Sequence, residues 1–337
     1  MRNIAWIRGS FLAENEAKNY RGLPNLDILD VQEERGMRLR VFGADRKIKK
    51  FYEYIRGYDI LHTVELYNMM SYQASQAGRK LVITQWETLP NIRAYTHPFK
   101  RKRLPDVINR ADIVHCPSEA AKSCAMALNV PEEKIRVIPY GVDTELFKPM
   151  RNEWEMFFTE EKPDVVVGML GRQMVEKGNE LLVGIYDMLQ NFTLLLVGQP
   201  LRGWGSILGR DGVRELWCGR YDLMPLFHNL VDIYTMPSTS TDHWEEQFGF
   251  SMLEAMACGK PVVAYDSGAI GEHMTDGEHG LLVDDGDEEG FADAIECLIH
   301  NKRLREKMGA AARKHALKHF ELNDARDKLM GMYGELS

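Results

Sequence analysis

Short apolar runs alternate with amphipathic stretches along almost the whole chain. A run that short, apolar on both sides, is buried as a parallel strand between layers of helix, so the alternation restricts the chain to β-α-β units. In the first half the strand candidates are Ile4 to Ile7, Leu39 to Phe42, Ile60 to Val64, Leu81 to Thr84, Ile113 to Cys116 and Val137 to Pro139. Helix candidates lie between them at Phe51 to Arg56, Leu66 to Gln76 and Glu119 to Leu128. The second half repeats the theme with Val165 to Leu170, Phe192 to Val197, Arg214 to Cys218, Ile233 to Met236, Val262 to Tyr265 and Leu281 to Val283, and ends helical from Leu304 to Leu336.

A single core seldom grows past roughly 250 residues, so 337 residues imply two doubly wound sheets. The junction falls at PYGVDTELFKPM, 139 to 150, where Pro139, Gly141 and Pro149 interrupt the periodicity. The expected division is 1–148 and 149–318, with a last helix over 319–337 packing back on the first domain. Two such sheets facing each other present the carboxyl ends of their strands to a cleft, where ligands bind in open α/β folds.

No apolar run approaches the roughly 20 residues that span a bilayer, and the start, MRNIAWIRGSFLAENE, is too briefly apolar and too soon acidic for a signal peptide. The expected location is the cytosol. Five cysteines, Cys116, Cys124, Cys218, Cys258 and Cys297, without a C-x-x-C pair argue against a disulfide framework or a zinc site. Residues 1–150 hold 24 Lys+Arg against 18 Asp+Glu, the remainder 18 against 32, so the halves differ in electrostatic character. Arg46-Lys47 with Lys49-Lys50, and Lys100 to Arg103, are basic clusters suited to a phosphate-bearing acceptor or peripheral contact with an anionic membrane surface; a solvated face is the plainer reading of either. A nucleic-acid partner is not expected, since no aromatics interleave with the basic residues.

Two constellations carry chemistry. GRQMVEKG, 171 to 178, follows the strand VVVGML and precedes an amphipathic helix, bringing Arg172 and Lys177 to the amino end of that helix, a place suited to phosphates. Read alone, the pair is equally a solvated basic pair in a βα loop. In EEQFGFSMLEAMACGKPVVAY, 245 to 265, Glu246 lies in the loop before a helix and Glu254 in its first turn, flanking Phe248-Gly249, with Ser251 as candidate N-cap. Each carboxylate can accept hydrogen bonds from sugar hydroxyls. Ser251-Met-Leu-Glu254 also reads as a capping box, the simpler role for Glu254, whereas no helix needs Glu246.

With YDILHTVE (58 to 65), VIPYGVDTELFKP (137 to 149), LLLVG (194 to 198) and SGAIGEHMTDGEHGLLVDDGD (267 to 287) in fixed order beside these two, the chain resembles the retaining GT-B glycosyltransferases of family 4 from Tyr58 onward. The resemblance implies transfer of a hexose from a UDP- or GDP-linked sugar to a glycan or lipid-linked acceptor, the nucleotide diphosphate sugar being a co-substrate and no cofactor or metal being required. It implies that Arg172 and Lys177 hold the diphosphate, Glu246 the sugar hydroxyls and Glu254 the ribose. It also implies that Phe248 and Gly249 line the donor site, Gly268 to Gly271 help seat sugar and phosphate, and the base sits near Gly219 to Tyr221. The catalytic contribution falls to Glu246, Arg172 and Lys177, with the leaving phosphate deprotonating the acceptor. Asp285-Gly-Asp287 reads as a turn and cap rather than a metal motif.

The match departs where relatives carry a His-Asp pair: ITQWETLPN, 83 to 91, has Trp86 and Glu87 there, with His62 or His97 as candidate replacements; the Arg8-Gly9-Ser10 loop also departs. That departure keeps open a nucleotide-sugar-binding protein without transferase activity. A GT-B epimerase or phosphorylase would need its own acid/base set or a pyridoxal lysine, and a dehydrogenase would need a G-x-G-x-x-G after Ile4 to Ile7 or Val165 to Leu170.

Overall fold

The computed structural model of the protein describes residues 2–8, 14–30, 51–172, 174–189, 191–198, 211–217 and 220–336. Contacts divide the chain into two compact units, Met1–Gly141 with Leu322–Ser337, and Val142–Glu321.

The first unit runs β1 (Ile4–Arg8), α1 (Glu14–Tyr20), β2 (Leu26–Asp30), α2 (Phe51–Tyr54), β3 (Ile60–Val64), α3 (Met69–Ser75), β4 (Lys80–Thr84), α4 (Arg93–Thr96), α5 (Pro98–Arg110), β5 (Ile113–Cys116), α6 (Glu119–Ala127) and β6 (Ile135–Val137). Its described strands pair in parallel in the order β2-β1-β3-β4-β5-β6. Ala5, Ile7, Leu61, Ile83 and Val114, alternate residues of four adjacent strands, point into one core with Leu104, Val107 and Ile108 of α5; each large aliphatic side chain there contributes about 1.5–3 kcal/mol by leaving water. Four of these elements, α1, β2, α4 and α5, are absent from the sequence candidates. Strand β2 was not anticipated, because Asp27 and Asp30 break its apolar run, and helix α5 was masked by its basic start and by Pro105, which sits inside the helix on its exposed face. The expected strand Leu39 to Phe42 and the basic residues 46–50 lie outside the described residues.

A directional hydrogen-bond chain crosses this unit. His115 Nε2 lies 2.8 Å from the Ile138 carbonyl, which only accepts, so Nε2 carries the proton and Nδ1 accepts from Thr84 Oγ1 at 2.9 Å. Thr84 Oγ1 therefore accepts from His62 Nε2 at 2.7 Å, and His62 Nδ1 accepts from Tyr333 Oη at 2.6 Å. Burial, with His115 as neighbour, holds His62 well below the usual imidazole range, and burial brings His115 to about 4.

The second unit runs β7 (Val166–Leu170), α7 (Asn179–Met188), β8 (Thr193–Val197), β9 (Val213–Leu216), α8 (Met224–Leu230), β10 (Ile233–Met236), α9 (Phe250–Ala257), β11 (Val262–Tyr265), α10 (Ile270–His273), β12 (Gly280–Val283), α11 (Glu288–His300) and α12 (Lys302–His319). Its described strands are parallel in the order β12-β11-β10-β7-β8-β9. Val167, Met169, Leu194, Leu196 and Val263 meet Phe291, Ile295 and Leu298 of α11 in its core. Asp287 caps α11, accepting from Gly290 N–H at 3.0 Å, and Asp285 accepts from Ser240 N–H at 2.8 Å, so this triplet serves turn and cap. After α12 the chain returns to the first unit as α13 (Leu322–Gly334), whose buried stripe of Leu322, Ala325, Leu329, Met332 and Tyr333 delivers the hydroxyl that begins the histidine chain. No helix among the described residues is long and apolar enough to cross a membrane.

The buried imidazoles set a pH dependence. Unfolded histidines bind protons below about pH 6.5, whereas folded His115 and His273 do so only near 4, chiefly because both are buried. Between those values the unfolded state holds more protons, so the contribution of these histidines to stability is full near neutrality and falls as pH drops, by on the order of 3 kcal/mol for His115 alone. Urea titrations of wild type and His115→Gln at pH 7 and pH 4.5 isolate that contribution from groups of opposite sign: wild type should lose more stability on acidification than the variant, and an equal change in both would contradict a buried, neutral His115.

Candidate functional site

In the second unit the chain leaves β7 toward β8 and β9, then returns to place β10 on the other side of β7. Connections diverge at the carboxyl ends of these two strands, the position at which open α/β sheets bind ligands. Residues 171–178 follow β7 and residues 237–249 follow β10, so topology alone delivers both sequence constellations to this point. The two loops touch. Gly178 has φ 73°, and a Cβ there would stand 2.2 Å from the Pro237 carbonyl oxygen, so only glycine permits this approach; Thr239 N–H donates to the Glu176 carbonyl at 3.0 Å.

This contact sets Lys177 against Glu246. Their side chains, 14% and 11% exposed, form an ion pair through Glu246 Oε2, which also accepts from Ser238 Oγ at 3.0 Å. The Lys177 ammonium lies 5.0 Å from the centroid of the Trp244 ring. Arg172, in the same loop after β7, is exposed and pairs with no described residue. The backbone of Glu246 is fixed from the loop after β11: Ala269 N–H donates to its carbonyl at 2.9 Å, and a Cβ on Gly268, at φ 56°, would stand 2.1 Å from that oxygen. Gly271 lies in α10, where a Cβ would meet Asp266 Oδ1 at 2.3 Å, a packing role.

Helix α9 corrects one expectation. Its N-cap is Gly249 in the left-handed conformation, two residues before Ser251, so Ser251 is no N-cap and Glu254 lies beyond the first turn. Ser251 Oγ instead donates to the Leu170 carbonyl at 2.6 Å, tying the start of α9 to the end of β7. Freed from capping, Glu254 is 3% exposed; its Oε1 accepts from Tyr221 Oη at 2.7 Å, and its Oε2 lies 3.4 Å from Nε2 of fully buried His228, without hydrogen-bond alignment. Tyr234 of β10 neighbours both carboxylates: burial first, then Glu246 and Glu254, push its hydroxyl pKa up. Phe248 is 1% exposed, its ring 4.6 Å from His273 and 4.7 Å from Phe250, so only its backbone can face a ligand. Gly219 lies outside the described residues. Thus Lys177, Glu246, Gly249 and Gly268 converge, and Glu254 with Tyr221 forms a neighbouring group. Sequence reasoning missed Ser238, Trp244, His228 and Tyr234, whose roles depend on contacts that no local spacing announces.

The first unit has its own divergence, between β1 and β3. Glu65, just after β3, is held at φ 66°; its Oε1 accepts from the N–H groups of Trp86 at 3.0 Å and Glu87 at 3.2 Å, its Oε2 from Tyr95 Oη at 3.1 Å. Burial, then Glu87, raises its pKa well above the carboxylate range. Trp86 stacks on Tyr140 at 5.0 Å and donates from Nε1 to Glu16 at 3.3 Å. His62, a candidate for the pocket, is instead fully buried in the hydrogen-bond chain, because both its nitrogens are occupied there. His97 sits between α4 and α5 with its ring 5.8 Å from that of Phe99. The basic cluster on α5 is divided: Lys100 lies over Tyr67 at 4.8 Å and Arg103 over Tyr72 at 5.2 Å, while Arg101, Lys102 and Phe99 are exposed. Among the described residues no group of histidine, cysteine or carboxylate side chains is arranged to hold a metal.

Residues 9–146 match the family described as Glycosyltransferase Family 4, and residues 151–315 match Glycosyl transferases group 1. The chain is 30% identical over 243 residues to a GDP-mannose-dependent alpha-(1-6)-phosphatidylinositol monomannoside mannosyltransferase of Mycolicibacterium smegmatis, covering 66% of this chain and 62% of that one. It is 30% identical over 229 residues to a D-inositol 3-phosphate glycosyltransferase of Stackebrandtia nassauensis, covering 60% and 49%. The match therefore spans about half to three-fifths of these relatives' length. In fold it resembles Anabaena HepE, solved in complex with UDP-glucose, with a TM-score of 0.80 at 21% identity over 99% of this chain and all of that one. Sucrose-phosphate synthase of Thermosynechococcus elongatus gives 0.78 at 20% identity over 100% and 99%.

Proposed function

Because the chain carries a Glycosyltransferase Family 4 domain followed by a Glycosyl transferases group 1 domain, we propose that it transfers a hexose, with retention, from a UDP- or GDP-linked sugar to a glycan or lipid-linked acceptor. The observation that carries this reading is the Lys177–Glu246 ion pair at the strand divergence of the second unit, with exposed Arg172 in the same loop as Lys177. A diphosphate gives Arg172, which pairs with no described residue, an anionic partner and competes with Glu246 for the Lys177 ammonium. Glu246, once released, accepts hydrogen bonds from sugar hydroxyls. Glu254 takes the ribose hydroxyls in exchange for the Tyr221 hydroxyl, which keeps Tyr221 near the base.

The bond between the anomeric carbon and the β-phosphate oxygen breaks as the acceptor oxygen bonds that carbon from the same face, and the acceptor proton passes to the departing phosphate. No protein nucleophile is needed. Arg172, Lys177 and the amino-terminal N–H groups of α9 stabilise the charge developing on the diphosphate. The donor is a co-substrate, and the reading calls for no resident cofactor or metal. Names of relatives support both donor bases, GDP-mannose in the mannosyltransferase and UDP-glucose in HepE.

Thermal shift with UDP, GDP and ADP and their sugars tests the donor assignment. A ligand at 100 times its Kd stabilises by about 2.7 kcal/mol. One nucleotide series at millimolar concentration should raise Tm, Lys177→Ala should remove the rise, and both Lys177→Ala and Glu246→Gln should cut turnover by about 10²–10³. No shift with any nucleotide would sink the assignment, and binding without transfer or donor hydrolysis would favour a nucleotide-sugar-binding protein. We place the protein in the cytoplasm, peripheral at an anionic surface through Phe99, Arg101 and Lys102, which favours a lipid-linked acceptor. Arg101→Glu with Lys102→Glu should then abolish co-sedimentation with phosphatidylserine vesicles; unchanged sedimentation removes this helix from the reading.

A further inference from the structure

The connection from β10 to α9 occupies residues 237–249, against the roughly two to six residues typical of a strand-to-helix loop. Its middle is a strap of polar residues closed on itself. Thr241 N–H donates to the Trp244 carbonyl at 2.7 Å, Thr241 Oγ1 approaches the same oxygen at 3.3 Å, and His243 N–H donates to Thr241 Oγ1 at 3.2 Å. The base is tied down by Ser240, whose N–H donates to Asp285 and whose hydroxyl lies 2.9 Å from Ser267 Oγ. What this bracing presents is the half-buried indole of Trp244, two residues before Glu246, with the Lys177 ammonium 5.0 Å from its centroid.

An aromatic face is electron-rich and attracts a positive partner, either an ammonium or the C–H face of a sugar ring, whose hydrogens carry partial positive charge. Both kinds of partner meet at this point. A diphosphate that draws the Lys177 ammonium away uncovers the indole face to the group joined to that diphosphate. Glu246 then addresses the hydroxyl edge of the ring while the indole addresses its C–H face.

Resting on the donor reading above, we propose that Trp244 is the specificity-determining platform for the transferred sugar, distinguishing a nucleotide diphosphate sugar from the bare nucleotide diphosphate. The strap supplies rigidity, which keeps the ordering cost of the contact low. Lys177 lies over the platform and yields it on binding.

Calorimetric titration of wild type, Trp244→Ala and Trp244→Phe with UDP, UDP-glucose, GDP and GDP-mannose tests the proposal. For the base that wild type accepts, Trp244→Ala should weaken the nucleotide sugar about five- to tenfold, the value of one aromatic face, and leave the nucleotide diphosphate within about twofold. Trp244→Phe, which keeps an aromatic face and guards against misfolding of the alanine variant, should recover most of the loss. Equal weakening of both ligands would mean that Trp244 merely props Lys177, and no weakening of either would mean that the indole meets no ligand; each result overturns the platform. Failure of wild type to bind all four ligands is a different outcome, which overturns the donor reading and the platform with it.

Discussion

Lys177 and Glu246 form an ion pair that neither residue's own loop could position unaided. Removing two charges from water costs several kcal/mol per ion unless partners make good the loss. Here the partners are one another, the Ser238 hydroxyl and the Trp244 ring. The approach that creates the pair depends on two backbone contacts: Gly178 against Pro237, which joins the loops after β7 and β10, and Gly268 against the Glu246 carbonyl, which brings in the loop after β11. A side chain at either glycine would drive a Cβ into a carbonyl oxygen. Three loops from three adjacent strands are thus locked around one charge pair, and a ligand that binds there exchanges partners rather than building a site.

Each unit concentrates its costly polar groups near the place where its strand connections diverge. In the second unit those groups are Lys177, Glu246, Glu254 and buried His228. In the first they are Glu65, Glu16 and the peptide of Trp86 and Glu87, with the hydrogen-bond chain of Tyr333, His62, Thr84 and His115 beneath. The chain is structural: every donor has one acceptor, and its direction is dictated from one end by a carbonyl. Glu65 is of another kind. Its Oε1 accepts from the peptide N–H groups of Trp86 and Glu87 and its Oε2 from Tyr95, so one carboxylate ties the segment after β4 to the ring of Tyr95.

Much of the fold was legible because parallel strands buried on both faces leave uninterrupted apolar runs; Val166–Leu170, Thr193–Val197 and Val262–Tyr265 are read directly from such runs. Strand β2 escaped because its Asp27 and Asp30 interrupt the run, and α5 because Pro105 reads as a breaker when its exposed position is unknown. That Lys177 and Glu246 lie in loops at strand ends was legible since glycines and charges mark those ends, while their meeting rests on the contact of the two loops. For Glu254 the pattern Ser251 to Glu254 offered a capping box beside the ribose contact, and only the conformation of Gly249 shows that the helix starts earlier and that Ser251 is no N-cap. Trp244 and His228 carried no signal, because what matters in each is a neighbour distant in sequence.

The central claim is that a nucleotide diphosphate sugar takes the Lys177 ammonium from Glu246. A crystal structure of the complex tests it most directly. The account predicts a phosphate oxygen within hydrogen-bond distance of Lys177 Nζ, Arg172 turned onto the diphosphate, and a sugar hydroxyl on the Glu246 carboxylate. A bound donor that leaves the Lys177–Glu246 pair intact, or that lodges away from the carboxyl ends of β7 and β10, would contradict it.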